Sequence, residues 1–61
     1  MSKDVEIACE VRAQTTLAMQ IYDGKTTCWI PKSQISDESE EDGKVTSIFI
    51  PEWLAIEKGL V

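Results

Sequence analysis

Asp4-Val5-Glu6-Ile7-Ala8-Cys9-Glu10-Val11-Arg12-Ala13 is the stretch that decides the fold class. Val5, Ile7, Cys9 and Val11 share one parity, and Asp4, Glu6, Glu10 and Arg12 share the other. Ala8 is the only small residue on the polar side. A period of two with polar outsiders is the pattern of a half-buried strand. Reading outward, residues 15–22 predict a second strand with Leu17, Met19 and Ile21 on one face. Asp23-Gly24 signals a tight hairpin, because Gly accepts the positive φ that primed turns require. Residues 25–30 then return as a third strand, with Thr26, Cys28 and Ile30 on one face and Thr27 and Trp29 on the other.

Pro31 ends that strand, since it cannot donate to a ladder. Residues 32–35 suit a single tight turn, with Ile35 dropping back into the core. Residues 36–43, from Ser36 to Gly43, read as an acidic loop by composition. Residues 44–50 form a fourth strand. Pro51 is placed as the first residue of a helix and Glu52 complements the helix dipole. On that helix Trp53, Leu54, Ile56 and Leu60 give one apolar face. Lys58-Gly59 reads as the stop, with Leu60 packing back on Leu54 or Ala55 in a Schellman-type cap. Cys28-Trp29-Ile30-Pro31-Lys32 and Ile48-Phe49-Ile50-Pro51-Glu52 echo one another, as two strands that use the same stop signal.

These elements predict a mainly β fold. It is a small antiparallel meander or half-barrel, SH3-like or OB-like, of about four strands with a short C-terminal helix, in one domain over residues 1–61. The expected core is Val5, Ile7, Cys9, Val11, Leu17, Met19, Ile21, Cys28, Ile30, Ile35, Ile48, Ile50, Trp53, Leu54 and Leu60. A chain of 61 residues buries only about 60% of the surface its unfolded form exposes, so this core is small. An exposed edge on so small a sheet invites charged protection or homodimerisation.

Composition excludes several function classes. There is no His, so the usual general base near neutral pH is missing, with nucleophile–His pairs and His-ligated metals. Two Cys cannot close a tetrahedral zinc site within one chain. Cys9 and Cys28 read most simply as small buried apolar residues, with a disulfide between them left open, since both fall in predicted strands. No enzyme activity, cofactor or metal is expected. No apolar run approaches a membrane span, and Met1-Ser2-Lys3-Asp4 turns charged and alternating at once, unlike a signal peptide. The expectation is a cytoplasmic protein with reduced cysteines.

The charge is concentrated. The chain carries 11 acids and 6 bases, for a net charge of −5. Asp37, Glu38, Glu40, Glu41 and Asp42 account for the excess, because the six other acids equal the six bases. Aligning Gly43 with the invariant Gly of an EF-hand puts Phe49 where a bidentate Glu is needed, so that calcium motif fails. A solvated segment is the ordinary reading of such a run. The functional reading is an electrostatic contact to a basic groove on a protein that normally holds nucleic acid. Ser36 and Ser39 are followed by acids, which suits acid-directed kinases.

Trp53 on the apolar helix face is expected in the core. Trp29 faces away from Cys28 and Ile30, and an exposed Trp29 beside Lys32 would be a binding hot spot. The bases are too dispersed for a basic patch, so direct nucleic-acid binding is not expected.

Trp29-Ile30-Pro31-Lys32-Ser33-Gln34-Ile35, followed by Ile50-Pro51-Glu52-Trp53-Leu54-Ala55 and Lys58-Gly59-Leu60, resembles a pattern found in short proteins of bacteriophages and prophages. The resemblance covers the last two-thirds of the chain and transfers no activity and no residue role. It implies a small protein made in an infected bacterial cell. Many such proteins bind and divert a host machine, and anti-CRISPR proteins are one such class, by analogy of size and acidity. The expected function is a non-enzymatic binding protein that engages a bacterial host protein, a nucleic-acid-handling or defence complex. Its binding residues are Asp37, Glu38, Glu40, Glu41, Asp42, Trp29 and Lys32. The alternatives are a small-barrel nucleic-acid-binding module and a structural subunit of a phage assembly.

Overall fold

The alternating run that opens the chain is two strands, not one. A computed structural model, which describes residues 3–61, divides it at Cys9 into β1 (Asp4–Ala8) and β2 (Glu10–Gln14). Met1 and Ser2, where the reading against a signal peptide begins, lie outside the described residues. The chain continues through β3 (Ala18–Tyr22), β4 (Thr27–Pro31), a 3₁₀ turn over Lys32–Gln34, β5 (Asp37–Glu41), β6 (Lys44–Pro51) and α1 (Glu52–Glu57). The fold is mainly β, as expected, in two antiparallel sheets ordered β1-β6-β5 and β2-β3-β4.

Cys9 is the corner between the sheets. Its N–H donates to the Thr46 carbonyl at 3.1 Å, so pairing with β6 persists up to the bend. Beyond it the chain leaves β6 and pairs with β3. The side-chain phase survives the bend, and Val5, Ile7, Cys9 and Val11 all contribute to one core. This bent strand joins the two sheets into a half-barrel, and α1 packs on β1 and β6.

Cross-strand pairs supply the interior: Val5 with Ile50 and Ile7 with Ile48 in one sheet, Ile21 with Val11 and Cys28, and Met19 with Ile30, in the other. Ile7, Met19, Ile21, Ile30, Ile48, Ile50, Leu54 and Ala55 are buried, and Val5, Cys9, Val11, Cys28, Ile35, Val45 and Leu60 pack around them. Two bulges adjust the phase. Arg12 is an extra residue on β2 and Thr46 an extra residue on β6. Without the second, Val45 and Ser47 would share a face; with it Val45 turns inward and Ser47 outward. Ser47 is buried nonetheless, and its hydroxyl donates to Glu6 Oε2 at 2.7 Å.

Several expectations are corrected. The segment 36–43 is not a loop: five of its residues form β5, which ends in a two-residue turn. That turn, Asp42-Gly43, has φ of 54° and 78°, the paired positive values of a type I′ hairpin. The second strand begins at Ala18 and not at residue 15, because the Thr15 hydroxyl accepts the Leu17 and Ala18 N–H groups in a local turn. Leu17 therefore sits at the turn tip, 79% exposed and outside the core. The third strand starts at Thr27, because the Asp23 carboxylate accepts the Lys25 and Thr26 N–H groups at 3.0 and 2.7 Å and widens the connection to four residues.

At the C-terminus, Pro51 closes β6 in extended backbone and the helix begins one residue later. Only Leu54 and Ala55 of α1 are buried; Trp53 and Ile56, one helical turn apart, face solvent. Trp53, expected in the core, is 52% exposed. Ala55 replaces it because a small residue lets the short helix lie close to the sheet. The Schellman cap is as expected: Leu60 N–H donates to Ala55 at 2.8 Å, Gly59 N–H to Ile56 at 3.1 Å, and Gly59 has φ of 74°.

Candidate functional site

β5 is the outer strand of its sheet, paired with β6 alone, and all five of its residues are exposed. Register assigns its side chains to faces. Glu38 lies across from Ile48 and Glu40 across from Val45, which puts both on the rim of the core face. Asp37 lies across from Phe49, Ser39 from Ser47 and Glu41 from Lys44, on the outward face. The carboxylates thus flank the strand on both sides. The strand starts at a fixed point, where the Ser36 hydroxyl donates to Asp4 Oδ2 at 2.7 Å and the Ser36 N–H donates to the Phe49 carbonyl at 2.9 Å. The Asp37 carboxylate accepts the Glu38 N–H at 2.8 Å. Among the described residues the ion pair is Arg12 with Glu10, at 2.6 Å, and it lies in the other sheet. Extension also separates the acids, and among the described residues no three metal-ligating side chains converge.

The structure brings Lys32 to the acids but not Trp29. Lys32, Asp37 and Glu38 line one cleft of about 370 Å³, together with Gln14, Met19 and Ile35. Trp29 pairs across from Gln20 on the outward face of the β2-β3-β4 sheet, 42% exposed. It shares that face with Tyr22, one pair further along, whose ring is covered by the Arg12 guanidinium at 4.3 Å. The sequence signal for this stack is faint, because the β2–β3 register that sets Arg12 near Tyr22 is not legible from alternation alone.

A larger open cleft, of about 850 Å³, lies where the Cys9 corner meets the two hairpin turns, lined by Cys9, Tyr22, Asp23, Gly24, Gly43 and Lys44 among others. Its reactive groups are subdued. Burial pushes the Cys9 thiol up from the ordinary thiol range, and the Asp23 charge adds to this. Burial also raises Cys28, against the opposing charge of Lys58. Both thiols are free. A protonated thiol is a poor nucleophile. The Asp23 carboxylate is held below its usual range by the Thr26 and Lys25 N–H groups, so it serves its turn.

The thiols should show this in solution. At pH 8 iodoacetamide should modify Cys9 and Cys28 more slowly in the folded chain than in the chain unfolded in urea, with Cys9 the slower. Peptide mass spectrometry reads both rates, and equal rates in the two states would refute the assignment. The linkage is directional. A raised thiol pKa stabilises the fold below the unfolded value and loses that contribution as pH rises through the folded one; the depressed Asp23 value contributes above the ordinary carboxylate range and is lost as pH falls through its folded value.

No helix among the described residues is long and apolar enough to cross a membrane. No protein-family model, no curated protein and no solved structure matches the chain.

Proposed function

We propose that the chain is a non-enzymatic binding protein that meets a basic surface of a partner through β5. The observation that carries this reading is the position of the charge: four acids of a fully exposed outer strand, with Asp42 in the adjoining turn, hold the excess of a chain otherwise balanced. A fixed strand presents those carboxylates at set spacing, so less ordering entropy is lost on contact than from a mobile loop. Lys32, beside Asp37 and Glu38, belongs to the same surface. The sequence resemblance to phage and prophage proteins makes a bacterial host protein, inside the cell, the partner to seek. A groove that handles nucleic acid has the complementary charge, and such a contact would divert or inhibit a defence or nucleic-acid-handling complex.

The test is affinity capture from bacterial lysate with the wild-type chain and a five-site variant, Asp37→Asn, Glu38→Gln, Glu40→Gln, Glu41→Gln and Asp42→Asn. The variant should keep its circular dichroism spectrum and lose a salt-sensitive partner by about tenfold or more. Equal recovery by both chains would sink the reading. The outward face of the β2-β3-β4 sheet supports a second one, in which exposed Trp29 and the neighbouring Tyr22 stack on nucleic-acid bases. The Arg12 charge there is already met by Glu10, which weighs against it. Retardation of single-stranded DNA at low salt, abolished by Trp29→Ala, would favour that reading over the first.

A further inference from the structure

We infer that β5 takes a lysine- or arginine-rich extended segment of its partner as an added strand of the β1-β6-β5 sheet. The inference rests on the acidic-contact reading above and gives it a geometry. β5 is in ladder register with β6 from Asp37 to Glu41, and β6 is the element that packs extensively against it. Its other edge therefore presents main-chain donors and acceptors at strand spacing, which is what strand addition uses. The Glu38 N–H donates to the carboxylate of the preceding residue. An incoming carbonyl can replace that local partner.

Charge selects the occupant. A second copy of the chain would lay β5 against β5, and Asp37, Glu38, Glu40 and Glu41 would meet the same four acids. Like charges directly opposite across a ladder are destabilising, whereas opposite charges stabilise it. No base occurs between Ser33 and Gly43 to relieve such a pair. The same acids that discourage self-pairing thus favour a basic strand. Because Glu38 and Glu40 line one face and Asp37 and Glu41 the other, the incoming segment needs bases on both of its faces. A strand with bases on alternate residues only would satisfy half of the carboxylates.

The probe is the capped heptapeptide Thr-Lys-Arg-Thr-Lys-Arg-Thr, titrated into the full ¹⁵N-labelled chain at low salt. Two backbone N-methylated versions, one for each set of alternate residues, keep its charge and remove ladder donors. The expected result is a shift of the β5 amides, slower exchange among them, and a loss of about tenfold or more in affinity for at least one methylated version. If both methylated peptides bind as tightly as the parent, or no β5 amide moves, strand addition is overturned. The five-site variant separates the two levels. Weak binding to it together with tight binding of the methylated peptides leaves the acidic contact standing and removes the added strand. Undiminished binding of the parent peptide to the variant removes the acidic contact itself.

Discussion

Ile48→Ala is expected to cost about 2–5 kcal/mol of unfolding free energy, the range for emptying a large aliphatic site in a packed core. A domain of this length is held by about 3–9 kcal/mol in all, so one such cavity consumes much of the total. Ile48 is fully buried on the central strand of its sheet, across from Ile7 on β1 and Glu38 on β5. The core around it is few residues deep, and Ile21, Ile30 and Ile50 are the other large side chains with no exposure. Small domains have little means of closing a cavity except by shifting whole strands. Trp53→Ala removes more atoms but should cost no more than about 1 kcal/mol, because half of that side chain already meets water. Urea denaturation of both variants, compared at equal slope, makes the comparison. A larger loss from Trp53→Ala would show that the helix, and not β6, carries the core.

The contrast between those two residues shows what was legible. Alternation is a local property of a strand, and it gave Ile7, Met19, Ile21, Ile30, Ile48 and Ile50 their correct side. The division of the first strand between two sheets was not legible. A bend that preserves side-chain phase leaves no trace in the pattern, so Cys9 reads as one more inward residue and not as a corner. Leu17 and Trp53 failed for a different reason. Leu17 is in phase with buried Met19 and Ile21, and Trp53 is apolar beside buried Leu54, but a threonine-held turn and a six-residue helix that buries only Leu54 and Ala55 put them in solvent. Neither constraint is periodic.

The acidic segment is the instructive failure. Its composition, four acids in five residues of β5, is that of a solvated loop, and no burial pattern contradicts this because nothing in β5 is buried. The signal for the strand is Asp42-Gly43, the same dipeptide that signals a hairpin at Asp23-Gly24. It is followed by Lys44 and a plain strand, so the hairpin is asymmetric, with an apolar second arm and an acidic first one. Strand formation here comes from the ladder with β6, and only a long-range partner supplies it. Of the residues expected at the site, Asp37, Glu38 and Lys32 line one cleft, while Trp29 is on the outward face of the other sheet. Proximity in sequence placed Trp29 and Lys32 together, but Pro31 and the turn after it separate them.

Gly43→Val is the substitution that should turn β5 back into the loop its composition suggests. Gly43 has φ of 78° and Asp42 has φ of 54°, and a β-branched residue is poorly tolerated at the former. A Cβ at Gly43 would meet nothing within 4 Å, so the cost is backbone strain and not a clash, about 1–3 kcal/mol. That strain has a local outlet. β5 buries no side chain and is held by its ladder, its turn and the Ser36 anchor, so releasing the strand costs less than unfolding the core. Amide exchange in β5 should therefore rise by about tenfold or more, while the amides of Ile21 and Ile30 in the other sheet keep their protection. All five acids are still present in this variant, which separates charge from geometry. If partner capture depends on a fixed strand, Gly43→Val should weaken it nearly as much as neutralising the acids does. Unchanged β5 protection would show that the turn does not hold the strand. Lost protection with full capture would show that the acids act as a flexible charged segment, for which the strand is incidental.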